Sequence, residues 1–254
     1  MEPVIAVAGL WGLFIAAHIG LATLPVRGAL VDRLGQRGFL VFYFIVASIL
    51  FVGLVAVYAS VRSAGPPGLA LAAVPLARGP LIVAIVVGVV LMTGAFAPRE
   101  YWESPTAILA DGVRAPLGLE RITRHPFFSG VVLVMGSHAL LATYLTGTVF
   151  CAGFVVLALA GPLHQDAKLR VLRGPAYDHY LAQTSMIPFV AIATGRQRFV
   201  ASEMPWRTLA LGLVVAAAIR LVHDHLFDAY GAPFILAVVG GSALIGAVIV
   251  RIRR

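Results

Sequence analysis

Residues Gly38–Val61 read GFLVFYFIVASILFVGLVAVYASV and contain no charged side chain. About 20 consecutive apolar residues are enough for an α-helix to cross the hydrocarbon core of a bilayer. Inside that core only a helix or a closed barrel satisfies its own backbone hydrogen bonds, and a long unbroken apolar run is typical of the helix. The stretch is therefore predicted to be a transmembrane helix.

Similar apolar runs recur along the rest of the chain. The seven runs are Pro3–Leu24, Gly38–Val61, Leu81–Ala97, Pro126–Leu145, Thr148–Leu163, Thr208–Val222 and Gly231–Val250. The third, fifth and sixth are shorter than a full span, which leaves their ends open. The pattern predicts an all-α fold, a polytopic integral membrane helix bundle of about seven transmembrane helices.

The composition of the 254 residues supports this class. Apolar residues make up 60% of the chain and charged residues 12%, whereas a soluble domain carries roughly 25% charged residues. These values exclude an ordinary cytosolic enzyme, a disordered chain and a nucleic-acid-binding protein. The net charge of +8 then indicates orientation rather than an acidic partner, because basic loops stay in the cytoplasm.

The basic residues can be assigned to the two sides of the membrane. With seven spans and the N-terminus outside, only Arg62, Arg78 and Arg220 of the 19 Lys and Arg residues fall on the outer side. All the others fall in the loops and tail that this arrangement leaves in the cytoplasm. The positive-inside rule therefore predicts a cytoplasmic C-terminus.

A long cytoplasmic segment follows the fifth run. Basic and apolar residues alternate over Asp166–Gln183, and Tyr177 and Tyr180 lie three apart, as residues on one helical face do. Basic residues with aromatic neighbours favour a helix that lies in the headgroup plane. A plain solvated loop is the alternative.

Two histidines lie well inside predicted spans. His18 shares a helix face with Trp11 and Phe14, and His138 shares one with Met135. Ionisable groups at membrane depth are costly, so each histidine is a functional hypothesis. Each could bond a neighbouring helix, or the two could be the axial ligands of a haem with apolar walls. Their depths differ, about 9 and 18 Å from the inner ends of their spans, which weighs against the haem.

Arg124 and His125 precede Pro126 at the cytoplasmic start of the fourth run. The free N–H groups at a helix N-terminus favour an anion, and the arginine adds a fixed positive charge. A phosphate, a haem propionate or a carboxylate would suit this place. The alternative is an anchor to lipid headgroups.

Three pairs of short stretches together resemble a known family. They are AHIGL at Ala17–Leu21 with LGQRGF at Leu34–Phe39, ITRHPFFSG at Ile122–Gly130 with GSH at Gly136–His138, and RGPAY at Arg173–Tyr177 with TSMIPF at Thr184–Phe189. The combination resembles the NnrU family, which includes plant and cyanobacterial 15-cis-zeta-carotene isomerase. The resemblance covers about residues 5–200.

This resemblance implies a cofactor and a reaction. Zeta-carotene isomerase is a membrane enzyme that binds haem b through two histidines and converts a central cis double bond of a polyene to trans when the iron is ferrous. The matching positions here are His18 and His138, which become the expected metal ligands and catalytic residues. The other expected cofactor-binding residues, which would line the haem or hold its propionates, are Trp11, Phe14, Arg124, His125 and Met135.

Met135 departs from the pattern of the isomerase. There a cysteine lies three residues before the second histidine and is thought to exchange as a ligand in the oxidised state. A thioether is also a soft ligand and lies on the same helix face as His138. The redox switch is therefore expected to be altered or absent.

Two other functions stay open. Bacterial NnrU relatives are associated with denitrification and nitric oxide metabolism, which suggests a non-catalytic haem or redox protein. The fourth run and the loop after the fifth also resemble isoprenylcysteine carboxyl methyltransferases, which use S-adenosylmethionine. Their next helix ends in paired glutamates, whereas His164–Asp166 here reads HQD, and this difference weakens the resemblance.

The combined expectation is a haem b protein of a bacterial inner membrane. Its substrate would be lipid-soluble, such as a polyene, and its partners would be membrane lipids rather than nucleic acid. Residues 1–200 are expected to form an NnrU-like transmembrane haem-binding domain. Residues 201–254 are expected to add a C-terminal pair of transmembrane helices.

Overall fold

The structure, a computed structural model, describes residues 1–97, 112–229 and Pro233. Within these residues the regular structure is helical, apart from an isolated bridge between Pro67 and Tyr144. The α-helices are α1 (Glu2–Leu21), α2 (Leu24–Val61), α3 (Pro75–Gly94), α4 (Pro126–Leu141), α5 (Leu145–Arg173), α6 (Pro175–Gln183), α7 (Val190–Ala193) and α8 (Trp206–Ala229). The predicted all-α class is confirmed for the described residues.

In the described part of the chain, five helices are long and apolar enough to cross a membrane. They are α1, α2, α3, α5 and the Trp206–His223 part of α8. α4 is apolar but only 16 residues long. Six of the seven predicted runs therefore coincide with helices, while Gly231–Val250 lies, apart from Pro233, outside the described residues.

Proline marks the first turn of several helices, including α1, α2, α4 and α6. The first N–H groups of a helix have no partner within the helix, so a residue without an N–H is tolerated there. Pro126 thus explains why the start of α4 agrees with the prediction. The ends of the spans carry no comparable signal, and several of them differ from the predicted ends.

The segment between the first two runs is helical, although it is expected to be a loop. α2 begins at Leu24 and continues to Val61, with a kink at Gly35. The φ of 72° at this residue lies in the left-handed region that glycine adopts at low cost. Pro25 lies in the first turn of the helix, where proline is tolerated, and the leucines, alanine and arginines that follow are good helix formers.

Two compact units make up the chain, and the first comprises Met1–Gly68, Thr143–Phe150 and Arg220–Arg254. Its described core is aromatic. The buried Trp11 donates its indole N–H to the Phe150 carbonyl at 3.0 Å, and Tyr58 stacks on the Phe150 ring with centroids 3.7 Å apart. These contacts hold α1 and α2 against the start of α5.

The second unit comprises Leu69–Ala142 and Cys151–Ile219. Within it α3 and α4 approach closely at two glycines. A Cβ added at Gly130 would lie 2.5 Å from the Gly88 carbonyl oxygen, and one added at Gly88 would lie 2.7 Å from the Gly130 oxygen. Small residues let apolar helices pack backbone to backbone, which compensates for the weak hydrophobic drive inside lipid.

The polar end of the second unit is built from α5 and α6. α5 continues past its predicted end at Leu163 to Arg173, and α6 follows after Gly174. Tyr177 and Tyr180 are both buried, and their ring centroids lie 5.6 Å apart. The predicted shared face of the two tyrosines is confirmed, whereas a position of α6 in the headgroup plane stays a prediction.

Candidate functional site

His138 lies in the last turn of α4, and a hydrogen bond fixes its ring. Nδ1 lies 2.7 Å from the carbonyl oxygen of Val134, one turn earlier. A carbonyl only accepts, so Nδ1 carries the proton and, in the neutral ring, the lone pair is on Nε2. This is the arrangement in which ligating histidines bind metals. Met135 lies on the same face and is half-buried.

His18 lies near the end of α1 among aromatic rings. Phe14 stacks on the imidazole with centroids 5.3 Å apart and planes inclined by 28°, and the Tyr43 ring lies 5.1 Å away. The Tyr43 hydroxyl donates to the backbone oxygen of His18 at 3.1 Å. Trp11 meets Phe14 edge to face at 5.7 Å, so a chain of three aromatic residues supports the imidazole from α1 and α2.

The surroundings of both histidines fit the chemistry of a haem. Haem iron takes imidazole nitrogen as an axial ligand, and its porphyrin needs apolar walls. Both rings are half-buried on apolar helices. Among the described residues no group of three or more His, Cys, Asp or Glu side chains is placed to hold a metal ion. His18 belongs to the first unit and His138 to the second, and the ligand assignment stays a prediction.

Arg124 and His125 meet a carboxylate at the start of α4. Arg124 Nε donates to Asp166 Oδ2 at 2.8 Å, His125 Nε2 lies 3.1 Å from Asp166 Oδ1, and the Tyr177 hydroxyl donates to the same oxygen at 2.8 Å. Because a carboxylate only accepts, Nε2 of His125 is protonated. We refer to these four residues as the Asp166 cluster.

Little solvent reaches the Asp166 cluster. The side chains of Arg124 and Asp166 are 15% and 10% exposed, and that of His125 is 4% exposed. Burial raises the pKa of Tyr177 well above its usual range, and the neighbouring Asp166 carboxylate adds to the rise. Tyr177 therefore acts as a neutral hydrogen-bond donor. The ion pair between Arg124 and Asp166 is largely desolvated, and this segment is not a solvated loop.

Backbone contacts lock the same segment in place. The Arg124 N–H donates to the Ser185 carbonyl at 2.9 Å, and the Thr123 hydroxyl donates to the Met186 carbonyl at 2.8 Å. The Phe189 N–H in turn donates to the Ile122 carbonyl at 2.8 Å. The stretches ITRHP and TSMIPF, which stand far apart in the sequence, are therefore one structural element.

Asp166 is the residue of this cluster that reasoning from the sequence missed as a partner. The expected anion at Arg124 and His125 is met, within the structure, by this side chain from the end of α5. A usable signal was present, since Asp166 is an acidic residue in a basic segment on the same predicted side of the membrane. The role of Arg124 and His125 toward a cofactor stays a prediction.

A second polar network lies just before α4. Glu120 accepts a hydrogen bond from Arg114 at 2.9 Å and another from the Leu117 N–H at 3.1 Å. Burial raises the pKa of Glu120 to about 7 although both donors oppose the rise. Arg121 Nε donates to Glu203 at 2.6 Å, and this contact holds the pKa of Glu203 below its usual range.

Comparison with protein families finds a match over most of the chain. The family model described as "NnrU protein" matches residues 6–230. The chain belongs to the NnrU family. His18, His138, the Asp166 cluster and the network around Glu120 lie inside the matched range, so the NnrU family model covers every part of the candidate site.

A partial similarity to an enzyme accompanies the NnrU match. The chain is 33% identical over 81 residues to the chloroplastic 15-cis-zeta-carotene isomerase of Zea mays. The aligned part is 32% of this chain and spans 22% of the maize protein. No solved structure matches the chain significantly. The comparisons thus show an NnrU-family membrane protein with a limited likeness to zeta-carotene isomerase.

Proposed function

We propose that this NnrU-family protein binds haem b through His18 and His138. The observation that carries the proposal is the hydrogen bond from His138 Nδ1 to the Val134 carbonyl, because it leaves Nε2 as the donor atom toward a metal. At His18 the stacked Phe14 ring on α1 and the inclined Tyr43 ring on α2 would hold the second imidazole in a fixed orientation.

The remaining site residues take supporting parts in the proposal. Trp11 and Phe14 supply apolar wall on α1, and Met135 does so on α4, one turn before His138. Arg124 and His125 are the proposed donors to the haem propionates. Since Asp166 already neutralises positive charge there, a propionate would have to share these donors with that carboxylate.

We further propose that the protein isomerises a cis double bond of a polyene. Ferrous haem, when bound, supplies electron density that lowers the barrier to rotation about such a bond. The protein's part is to hold the cofactor, exclude water and admit an apolar substrate from the lipid. The long apolar helices and the partial likeness to zeta-carotene isomerase support this activity.

A non-catalytic haem or redox protein is the second candidate. It is favoured by the contrast between a family match over residues 6–230 and an isomerase likeness over only 81 residues. In this version the histidines hold the same cofactor, and the protein takes part in nitric oxide metabolism without changing a polyene. A bacterial inner membrane with the N-terminus outside and the C-terminus in the cytoplasm belongs to both versions of the proposal.

Haem content tests the ligand assignment. His18→Ala and His138→Ala should each lower the haem bound per protein, while His179→Ala, at an exposed histidine bonded to Gln183, should keep it. Full haem loading in both of the first two variants would remove them as ligands. Binding of S-adenosylmethionine by calorimetry in a protein without a haem spectrum would instead favour a methyltransferase.

Product analysis separates the two haem functions. The reduced protein is incubated with a tri-cis carotene, and the isomers are resolved by chromatography. Formation of a trans product that stops on oxidation of the protein supports the isomerase. Unchanged carotene in the presence of fully reduced, haem-loaded protein would leave the non-catalytic function.

A further inference from the structure

Two adjoining cavities in the second unit differ sharply in character. One is a groove of about 430 Å³ between α3 and α8, lined almost wholly by apolar side chains such as Val90 and Leu213. The other is a polar cavity of about 480 Å³ lined by Arg121, Arg196 and Arg198. Successive residues line both, since Arg198 faces the polar cavity and the next residue, Phe199, faces the groove.

The polar cavity carries excess positive charge. Arg121 is neutralised by Glu203, but Arg196 donates only to uncharged oxygens, those of Ala182, Thr184 and Thr194. In the described part of the chain neither Arg196 nor Arg198 forms an ion pair, and both are exposed. Such a pair of arginines attracts a phosphate or another anionic group.

The apolar groove begins where two candidate spans end. It is lined by the last turns of α3 and the first turns of α8, and both helices are apolar enough to cross a membrane. Phe199 and Trp206 on its rim are 50% and 57% exposed. Exposed aromatic residues at the end of a span are typical of the membrane–water interface, so the groove points from that interface into the bilayer.

We propose that these two cavities form one binding site for an anionic glycerophospholipid. The headgroup phosphate is bound by Arg196 and Arg198, and one acyl chain lies in the groove between α3 and α8. The positive charge of the polar cavity selects an anionic headgroup. The apolar side chains that line the groove contact the acyl chain. A free phosphate would use only the first part, and a zwitterionic lipid would gain less from it because the two arginines repel its ammonium group.

Competition between two lipids tests the site in the full-length protein. Phosphatidylglycerol and phosphatidylcholine with identical acyl chains are titrated in detergent, and bound lipid is measured by native mass spectrometry. Each arginine near an anionic headgroup contributes on the order of fivefold in affinity, so the protein should prefer phosphatidylglycerol by roughly 30-fold. The double variant Arg196→Gln/Arg198→Gln should lose that preference.

A matched control carries the same change of charge elsewhere. Arg33 and Arg37 are exposed, lie on the same predicted side of the membrane and belong to the other unit. Arg33→Gln/Arg37→Gln should keep the full preference. An equal loss in both double variants, or equal binding of the two lipids by the unaltered protein, would overturn the proposal.

Two further measurements separate a lipid from other occupants. Ala210→Trp places a large ring in the groove at an exposed lining residue and should weaken phosphatidylglycerol binding about tenfold or more. Millimolar glycerol phosphate should not displace the lipid. Displacement by glycerol phosphate would indicate a simple anion site. Unchanged lipid binding in Ala210→Trp would show that no acyl chain lies in the groove, and either result would contradict the proposal.

Discussion

Replacing Asp166 with asparagine removes the carboxylate at the centre of the Asp166 cluster while keeping its shape. Arg124 then stays in place, 15% exposed, without the charge that compensates for its desolvation. Removing one partner of a buried ion pair costs about 3–5 kcal/mol. The lower end applies here because the amide oxygen of asparagine still accepts from Tyr177. At roughly 2–4 °C per kcal/mol for a chain of this size, the midpoint of thermal unfolding should fall by about 6–12 °C.

Cys151, the single cysteine of the chain, allows this shift to be measured in detergent. It lies within α5 and is half-buried, so a thiol-reactive dye reports its exposure on unfolding. Asp178→Asn is the matched control, because Asp178 also accepts from an arginine, at 2.6 Å, but both of those side chains are more than half exposed. Exposed pairs contribute little to stability. Equal shifts in the two variants would refute the view that the Asp166 cluster is a desolvated ion pair.

The same dye assay checks two further predictions. Gly130→Ala should destabilise the protein by about 1–3 kcal/mol, because the added Cβ would lie 2.5 Å from the Gly88 backbone oxygen. Gly136→Ala on the same helix, where the nearest atom lies 3.9 Å away, should have no such cost, and equal losses would contradict the close packing of α3 on α4. For Glu120 the folded-state pKa of about 7 lies above the ordinary 4.5, so folding takes up a proton between these values and stability should fall as the pH rises through them. Glu120→Gln should remove this part of the pH dependence, so that the melting temperature falls less between pH 5 and 8. An equally steep fall in the variant and in the unaltered protein would show that burial of Glu120 does not cause the pH dependence.

The helices were predictable because their signals are local. A run without charges identifies a span wherever it occurs, and Pro126 marks the start of α4. The helical segment after Leu24 was not predicted. It lies between the first two apolar runs and contains arginines and glycines, and both features suggest a loop. The decisive feature is the kink at Gly35, which lets a polar helix continue into an apolar one.

The length of α5 shows the same limit. Apolarity ends near Leu163, but the helix continues to Arg173. The Asp166 carboxylate in this extension is satisfied by Arg124, just before α4, and by Tyr177 on α6. Apolar periodicity describes contact with lipid or a core and carries no information about such partners. An acidic residue in a basic segment suggests that Asp166 has a cationic partner, but the sequence does not say that this partner is Arg124, 42 residues earlier.

The candidate site was predictable in its residue types but not in its partners. His18 and His138 stand out because imidazole at membrane depth is costly, and Phe14 was expected beside His18 from the helical period. The Tyr43 ring, which lies 5.1 Å from the same imidazole, comes from another helix, so its position depends on the fold. The Val134 carbonyl that fixes the His138 ring lies one turn away, yet that bond depends on a rotamer that the sequence does not specify.

The visible absorption spectrum of the purified protein, oxidised and then reduced with dithionite, decides whether the two imidazoles share an iron porphyrin. A haem held by both imidazoles predicts a Soret band and sharp α and β bands after addition of dithionite. These bands should be much weaker in His18→Ala and in His138→Ala and unchanged in His179→Ala. A protein that folds to the same melting temperature and is produced with haem supplied, yet shows no Soret band, would contradict it.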